Sequence, residues 1–371
     1  MTKDKTRSVL IFGGAGFIGS NLAHHLLTRT DAKVHVFDNL SRAGVRHNLD
    51  WLRKAAGSSD RLKITVGDVR DASVVTRAAA DAGEIYHFAA QVAVTTSLID
   101  PRLDFEVNLV GTFNILEAAR KSGNKPFVLF TSTNKVYGDL GLGAPVRMNE
   151  RYVHPGHRGV SESQPLDFHS PYGCSKGAAD QYVRDFSRIY GLPTIVFRMS
   201  CIAGPRQFGT EDQGWVAHFL YSALQQKPVV IYGDGCQVRD VLCVKDLVRA
   251  FDAVRENLPI TAGQIYNVGG GIANTTSLLE LMRTINQLTG CRLDHVSDEC
   301  RPGDQLVYVT DYNKLQRHTG WKPLFNLKQT VELLRDFWEE NQRVIEGPAA
   351  AAPIETFASL NRDSEERERA A

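Results

Sequence analysis

The stretch that decides the fold is Val9-Leu10-Ile11-Phe12-Gly13-Gly14-Ala15-Gly16-Phe17-Ile18-Gly19, which leads into the apolar segment Leu22 to Leu27. Four apolar residues in a row predict a short buried strand, and the spaced glycines allow a tight turn into a helix. The same glycines let backbone N–H groups approach a pyrophosphate at the start of that helix. The pattern therefore predicts the first strand, turn and helix of a dinucleotide-binding fold.

A carboxylate follows the second predicted strand. The run 34–37 ends in Asp38, nineteen residues after Gly19. An acidic side chain at this place can accept hydrogen bonds from both ribose hydroxyls of the adenosine half, and it repels a 2′-phosphate. We therefore expect NAD rather than NADP, with Arg42 as the one nearby residue that favours the opposite choice.

Strand and helix patterns alternate over the next hundred residues, at 62–66, 72–82, 85–88, 105–121 and 127–130. Alternation of this length predicts an α/β fold with a doubly wound parallel sheet. Functional residues of such a sheet lie where its strands end. This places three short strings along one cleft: Asp68-Val69, Ala89-Ala90-Gln91 and Thr131-Ser132-Thr133.

The regular alternation weakens in the second half of the chain, which predicts two domains. We expect a dinucleotide-binding domain over 8–200 and a smaller substrate-binding α/β domain over 201–340 that is interleaved with the sheet. Segment 139–165 lacks periodicity and is expected to lie over the active site, because long loops in compact domains are usually functional or disordered. The charged tail, 348–371, is predicted to be disordered.

Composition excludes several classes of function. The 371 residues carry a net charge of +1, so no overall field would gather nucleic acid or an anionic membrane. The apolar run 9–12 is too short for a secretion signal, and no stretch reaches the ~20 apolar residues of a membrane span. The six cysteines show no CxxC spacing, and no His/Cys/Asp spacing indicates a metal site. We expect a cytoplasmic protein with reduced thiols.

Tyr172 and Lys176 are four residues apart in a predicted helix, so both side chains lie on one face. A phenol titrates near ~10 in water, and a base that works near neutral pH needs about 4 kcal/mol of preferential stabilisation of the phenolate. A neighbouring ammonium can provide it. Alone, the pair is more typical of an exposed helix surface than of a catalytic site, and its significance depends on the other motifs.

The motifs that belong together, in their order and spacing, are Gly13, Gly16, Gly19, Asp38, Asp68, Thr133, Tyr137-Gly138, Tyr172 and Lys176. Over roughly 8–340 this set resembles the extended short-chain dehydrogenase/reductase family of nucleotide-sugar enzymes. The resemblance implies a Rossmann-type domain that binds NAD, a nucleoside-diphosphate sugar as substrate, and a homo-oligomer, either a dimer or a tetramer. It also implies that Tyr172 is the base, that Lys176 is its electrostatic partner and a ribose ligand, and that Thr133 binds the reacting sugar oxygen.

The resemblance implies two further sets of contacts. Those to the cofactor are Gly13, Gly16, Phe17, Ile18, Gly19, Asp38, Asn39, Ser41, Arg42, Asp68, Val69, Ala89, Ala90, Gln91, Asn108, Ser132, Tyr172 and Lys176. Those to the substrate are Thr133, Asn134, Ser200, Cys201, Gln213, Trp215, Val216, Arg239, Arg301 and Asp304. The two arginines are expected at the pyrophosphate, because guanidinium groups present planar, permanently charged donors. Cys201 departs from the Asn or Ser of many relatives.

One dipeptide narrows the reaction. Dehydratases of this family carry Asp-Glu directly after the catalytic threonine, whereas this sequence has Asn134-Lys135. Without those carboxylates an elimination lacks its acid and its base, so a dehydratase is disfavoured. The strings 38–42, 131–139, 166–182 and 212–216 resemble the branch that inverts carbon 2 of CDP-linked deoxyhexoses, converting CDP-paratose to CDP-tyvelose. A 4-epimerase, a net dehydrogenase and a non-catalytic dinucleotide-binding protein remain as alternatives.

Overall fold

The computed structural model describes residues 7–300 and 304–345. Arg301 and the predicted disordered tail 348–371 lie outside the described residues. The strands are β1 Ser8–Phe12, β2 Lys33–Asp38, β3 Leu62–Val66, β4 Glu84–His87, β5 Phe127–Thr133, β6 Val146–Met148, β7 Arg151–Val153, β8 Thr194–Met199, β9 Cys201–Ala203, β10 Val229–Tyr232, β11 Val238–Cys243, β12 Gln264–Val268, β13 Thr275–Ser277, β14 His295–Asp298 and β15 Val307–Tyr308.

The helices are α1 Phe17–Arg29, α2 Val45–Ala56, α3 Ala72–Ala79, α4 Val94–Ile99, α5 Pro101–Phe105, α6 Gly111–Lys121, α7 Ser170–Tyr190, α8 Trp215–Leu224, α9 Val244–Glu256, α10 Leu258–Thr261, α11 Leu278–Thr289, α12 Asn313–Thr319 and α13 Leu327–Ile345. A π-helical turn, Glu106–Val110, joins α5 to α6, and 3₁₀ turns lie at Asn134–Tyr137 and Ile272–Asn274.

Seven strands form one parallel sheet in the order β12-β8-β5-β4-β1-β2-β3. Apolar clusters on its two faces are supplied mainly by α1, α2 and α9 on one side and by α3, α6 and α7 on the other. The strand order reverses between β1 and β4, and ligands of such sheets bind in the crevice outside the strand ends at that point. The predicted doubly wound α/β fold is confirmed.

A second group of strands follows β8. β11 pairs with β9 and β15 in parallel and with β13 in antiparallel register, and β10 pairs with β14. Helices α8, α11 and α13 pack over these strands in a separate apolar cluster. The chain also returns to the large sheet through its edge strand β12, so the boundary at residue 200 stays a prediction.

Segment 139–165 contains the antiparallel hairpin of β6 and β7. The hairpin packs against the second group of strands, since the Tyr152 N–H donates to the Cys236 carbonyl (2.9 Å) and the Tyr152 hydroxyl donates to Asp234 (2.8 Å). Further along, Val160 exchanges backbone hydrogen bonds with residues 309 and 311. The expected position of segment 139–165 over the active site stays a prediction.

Among the described residues, no helix is both long and apolar enough to cross a membrane. Within 7–300 and 304–345, no cluster of three or more His, Cys, Asp or Glu side chains is arranged to hold a metal ion. All six cysteines are free thiols.

Candidate active site

The helix that carries Tyr172 and Lys176 has stabilising contacts on either side of these two residues. Its first residue, Ser170, has a left-handed φ of 63°, and its hydroxyl accepts a hydrogen bond from the Gly173 N–H. A non-glycine residue in that conformation costs on the order of 1–3 kcal/mol, so it fixes a specific entry direction for α7. One turn after Lys176, Asp180 forms a buried bidentate ion pair with Arg198 of β8, at 2.8 and 2.9 Å.

Tyr172 and Thr133 meet where α7 passes the end of β5. Their hydroxyl groups are hydrogen-bonded, and both side chains are buried. Burial raises the pKa of Tyr172 to about 12, while the bond to Thr133 acts in the opposite direction. The phenol is therefore protonated near neutral pH, and these contacts do not provide the lowering of its pKa that a base requires.

Lys176 lies one turn further along α7 and is only 3% exposed. Its ammonium donates to the Thr131 carbonyl oxygen (2.7 Å) and stands 4.1 Å from the centre of the Phe130 ring. Burial lowers the pKa of Lys176 to about 7, although the charges of Asp104 and Asp180 raise it. We call Tyr172 and Lys176 the tyrosine–lysine couple. Its lysine can change protonation state near neutral pH.

A cavity of about 660 Å³ opens in front of Tyr172, between the large sheet and the second group of strands. Its lining includes eight residues predicted for catalysis or substrate binding: Thr133, Asn134, Tyr172, Cys201, Gln213, Trp215, Arg239 and Asp304. Trp215 donates its indole N–H to the Cys201 sulfur (3.3 Å), so the cysteine occupies a hydrogen-bonding position in the wall. Residues from distant parts of the sequence thus meet at one site.

Three charged residues form what we call the cationic cluster on this wall: Lys135, Arg239 and Asp304. The Asp304 carboxylate accepts hydrogen bonds from Arg239 (2.7 Å) and Lys135 (3.0 Å). Burial disfavours the charged carboxylate, but the two cations prevail and hold the pKa of Asp304 at about 2. The cluster therefore carries two positive charges and one negative charge, which suits an anionic group.

The predicted cofactor residues line the carboxyl edge of the sheet. Gly13 follows β1, and a Cβ atom there would lie 2.6 Å from the Ala89 nitrogen, so only glycine fits. At Gly16 a Cβ atom would make one tight contact, with the Gly13 oxygen at 3.2 Å. Gly16 caps α1 without a side-chain hydrogen bond, and the helix has no acidic residue in its first turn. A pyrophosphate would fit there.

Two more features fit a dinucleotide. Asp38 ends β2, and its carboxylate accepts hydrogen bonds from the backbone N–H groups of Ala15 (3.0 Å) and Leu40 (2.9 Å). Ser132, in β5, has a buried hydroxyl for which the described residues provide no hydrogen-bond partner. An orphaned polar atom at this edge of the sheet is what a polar cofactor group would satisfy.

Comparison with known sequences extends this picture to the whole chain. Residues 10–334 match the family described as GDP-mannose 4,6 dehydratase. The chain belongs to the extended short-chain dehydrogenase/reductase family. The match runs from β1 into α13.

The relatives in the family differ in reaction. The chain is 42% identical over 337 residues to a CDP-paratose 2-epimerase of Salmonella typhi, covering 89% of this chain and 98% of that protein. It is 34% identical to a dTDP-glucose 4,6-dehydratase of Shigella flexneri, covering 90% and 94%. Among solved structures it resembles a UDP-glucose 4-epimerase of Thermus thermophilus in complex with NAD, with a TM-score of 0.75, 32% identity and coverage of 90% and 99%.

Some predicted site residues of this short-chain dehydrogenase/reductase lie away from the cavity wall. Ser200 is buried and donates to Asp240 (2.6 Å), and Val216 packs in the apolar cluster under α8. Gln91 and Asn108 are bonded to one another through backbone and side-chain atoms, and both contact Asp104. Asp68 pairs with Arg70 (2.8 Å).

The sequence analysis did not identify some of the residues that line the cavity. The unpredicted residues of the cavity lining include Lys135, Glu211, Asp212, Tyr232, Asp298 and Glu299. Tyr232 donates to Glu211 (2.6 Å) and Asp212 accepts from Thr95 (2.9 Å), so these contacts bridge separate segments. No motif spacing predicts such pairs, because the sequence separation of the partners is set by the fold.

Proposed function

We propose that this protein is an NAD-dependent epimerase that inverts carbon 2 of a CDP-linked deoxyhexose, converting CDP-paratose to CDP-tyvelose. The observation that carries the proposal is the dipeptide Asn134-Lys135 beside an intact Thr133 and tyrosine–lysine couple. The 42% identity with a CDP-paratose 2-epimerase supports the choice of branch.

The local contacts of the dipeptide argue against an elimination. The Asn134 amide donates to Gln305 (2.9 Å), and the Lys135 ammonium pairs with Asp304. Asp304 cannot act as an acid near neutral pH, because its pKa is held at about 2. Loss of water from the sugar needs a proton donor and a base, and this part of the wall offers a carboxylate fixed in its charged form.

The residues that would hold NAD are those at the carboxyl edge of the sheet. The N–H groups at the start of α1 would bind its pyrophosphate, Asp38 would bind the adenosine ribose, and Lys176 would reach the other ribose. When bound, NAD would accept a hydride from the sugar and return it. Its positive charge would also favour the Tyr172 phenolate, because opposite charges within a few ångströms favour ionisation.

The protein's own groups would manage the proton and the orientation of the sugar. Tyr172 would take the proton of the carbon 2 hydroxyl and later return it, while Thr133 hydrogen-bonds the same oxygen. Arg239 would keep the diphosphate bound while the 2-keto sugar turns its opposite face to the cofactor. The reaction involves no net redox change, so retaining the sugar and the cofactor between the two steps is essential.

The test is to incubate the protein and NAD with CDP-paratose, and separately with UDP-glucose, and to follow the sugars by proton NMR in deuterated water. We expect CDP-tyvelose that retains its carbon 2 hydrogen, because the hydride is returned directly. Action on UDP-glucose alone would instead indicate a 4-epimerase, the second candidate, which the resemblance to the Thermus thermophilus enzyme favours. Stoichiometric NADH would indicate a net dehydrogenase.

We also infer a homo-oligomer that forms through the helices beside the site. Neighbouring helices expose large apolar side chains, and the rings of Phe113 and Tyr182 pack edge to face with their centroids 5.7 Å apart. The exposed group is Leu98, Ile99, Phe105, Phe113, Tyr182, Ile189 and Tyr190. A second copy of this chain could cover such a patch. Light scattering should give a dimer or tetramer, and Phe113→Glu should shift it towards monomer.

The free cysteines are consistent with a cytoplasmic setting.

A further inference from the structure

A carboxylate lies fully buried beneath the tyrosine–lysine couple. Asp104 of α5 has no exposed surface, and it stands just before the π-helical turn that leads into α6. Its oxygens accept hydrogen bonds from the side chains of Gln91 (3.0 Å), Asn108 (3.1 Å) and Ser175. Ser175 belongs to α7 and lies between Tyr172 and Lys176. The contact therefore connects Asp104 directly to the helix that carries the couple.

The charge of Asp104 has no ion-pair partner among the described residues. Its three hydrogen-bond donors are all neutral, whereas Asp180, the other carboxylate that acts on Lys176, is paired with Arg198. An ionised carboxylate away from water costs several kcal/mol unless cations compensate it. Burial raises the pKa of Asp104, while the hydrogen bonds from Ser175 and Gln91 and the charge of Lys176 favour its ionised form. A charge in a low-dielectric region acts strongly on its neighbours. The charge of Asp104 acts on both Tyr172 and Lys176.

We propose that Asp104 is a positioning residue that sets the protonation of the tyrosine–lysine couple through its buried negative charge. The proposal rests on the proposed function, because the couple is assigned as the catalytic pair there. Asp104 favours the ammonium form of Lys176 and disfavours the phenolate form of Tyr172. The charge of Asp104 therefore raises the pKa of both groups.

The other titratable groups around the couple each have interaction partners of their own. On α7, Asp180 is neutralised by Arg198. From β4, His87 is buried, shares a hydrogen bond with Thr112 (2.9 Å), and has a pKa well below its ordinary value because of burial and the charge of Lys176. From the segment after β2, Arg42 faces Tyr172 and contacts Gln213. Removing the charge of Asp104 thus leaves these other charges in place.

The substitution Asp104→Asn tests the charge and preserves the shape. An amide oxygen can still accept from Gln91 and Asn108, and its NH₂ group can donate to the Ser175 hydroxyl. Ser175 can then direct its own hydrogen to the Tyr172 carbonyl oxygen, which lies 3.2 Å away. Ser175→Ala is the matched control, because it removes one hydrogen bond and keeps a carboxylate at position 104, whose pKa rises because the Ser175 hydroxyl favours its ionised form.

In D104N the pKa values of Tyr172 and Lys176 should both fall. Activity requires the phenolate together with the ammonium, so both limbs of the pH–rate profile should move to lower pH by about one unit. The direction is the same whether Tyr172 or Lys176 accounts for the acidic limb, because both pKa values fall. S175A should move both limbs by less than D104N does, even if its kcat falls, because it keeps the carboxylate. Unmoved limbs in D104N, or an equal displacement in S175A, would contradict the proposal.

A second measurement does not depend on turnover or on the identity of the substrate. In protein labelled with ¹³Cε-lysine, the signal that disappears in Lys176→Met identifies Lys176, and its titration can be followed by NMR. We expect the midpoint in D104N to lie about one pH unit below that of the unmodified protein. An unchanged midpoint would overturn the proposal even if CDP-paratose is converted. A lowered midpoint without conversion would leave it standing and reject the proposed substrate. If D104N does not fold, Asp104→Ser makes the same change in charge.

Discussion

Tyr172 of the tyrosine–lysine couple lines the same cavity as the cationic cluster, but the two regions differ in how the charge of their ionisable groups is controlled. In the cluster, Asp304 makes two short ion pairs, and its pKa is held at about 2. In the couple, the Lys176 ammonium contacts a backbone carbonyl and an aromatic ring, and burial lowers its pKa to about 7. Direct ion pairing fixes the charge of Asp304 in one region, although burial lowers the pKa of its partner Lys135. Burial without a direct ion-pair partner leaves the charge of Lys176 adjustable in the other.

We expect this difference to reflect two roles, substrate binding by the cationic cluster and proton transfer by the tyrosine–lysine couple. A group that must hold a diphosphate should keep its charge at every physiological pH, and direct ion pairs provide that. A group that takes part in proton transfer needs a pKa near the working pH, which burial and indirect charges can provide. The comparison therefore predicts large effects on kcat in the couple and effects on KM in the cluster.

The largest effect should come from Tyr172→Phe. The variant keeps the ring and loses the group that exchanges the proton, so turnover should fall by ~10³-fold or more. NAD should stay bound, which can be measured from the nucleotide released on denaturation. A near-normal rate would reject Tyr172 as the base.

Lys176→Met should lower turnover by ~10²–10³-fold and also change how stability depends on pH. The pKa of Lys176 falls from 10.5 in the unfolded chain to about 7 in the fold, so between these values the unfolded state binds more protons. The free energy of unfolding should therefore rise with pH over this range, by up to about 1.4 kcal/mol per pH unit.

K176M lacks this titration, and its stability should rise less steeply between pH 7 and pH 10. Denaturant melts of both proteins at several pH values measure the two slopes. Equal slopes would show that Lys176 does not titrate in this window. Lys328→Met, on the exposed face of α13, is the control and should keep the slope of the unmodified protein.

Local patterns in the sequence predicted the parts of the molecule whose causes are local. The apolar run before Gly13, the helix after it and the four-residue spacing of Tyr172 and Lys176 all follow from nearest neighbours along the chain. The parallel sheet follows from the alternation of such segments. The structure confirms the fold class and places Tyr172 and Lys176 in one helix, and their catalytic roles stay a prediction.

The remaining site contacts depend on tertiary structure. Lys135 meets Asp304 across 169 residues, and Ser175 meets Asp104 across 71. Nothing in either neighbourhood specifies the partner. One available signal was missed: Asp104, Asn108 and Thr112 recur every four residues along the segment from α5 through the π-helical turn into α6, and all three are buried. A polar stripe on a buried helix face indicates a hydrogen-bonded network.

In the cationic cluster, Arg239→Ala should raise the KM of the nucleotide sugar by ~10–100-fold and change kcat by only a few fold, because a charge-assisted hydrogen bond contributes ~1.5–3 kcal/mol. Steady-state kinetics at two salt concentrations should show a weaker salt dependence of KM. Arg335→Ala, which breaks an exposed ion pair with Asp336, is the control and should leave KM unchanged. A fall in kcat alone would move Arg239 from binding to chemistry.

The smallest effect should come from Arg42→Ala. The exposed Arg42 guanidinium contacts the Gln213 side chain and lies 3.5 Å from the Ala90 carbonyl oxygen, so it links the segment after β2 to the one before α8. Exposed contacts of this kind contribute ~0.2–1 kcal/mol, which corresponds to a change of about 1.4- to 5-fold in the KM of the nucleotide sugar. Because Asp38 remains to repel a 2′-phosphate, the preference for NAD over NADP should be unchanged, and the two dissociation constants measure it. A preference for NAD that strengthens in Arg42→Ala would show that Arg42 does attract the 2′-phosphate, and that the contact with Gln213 is not its main role.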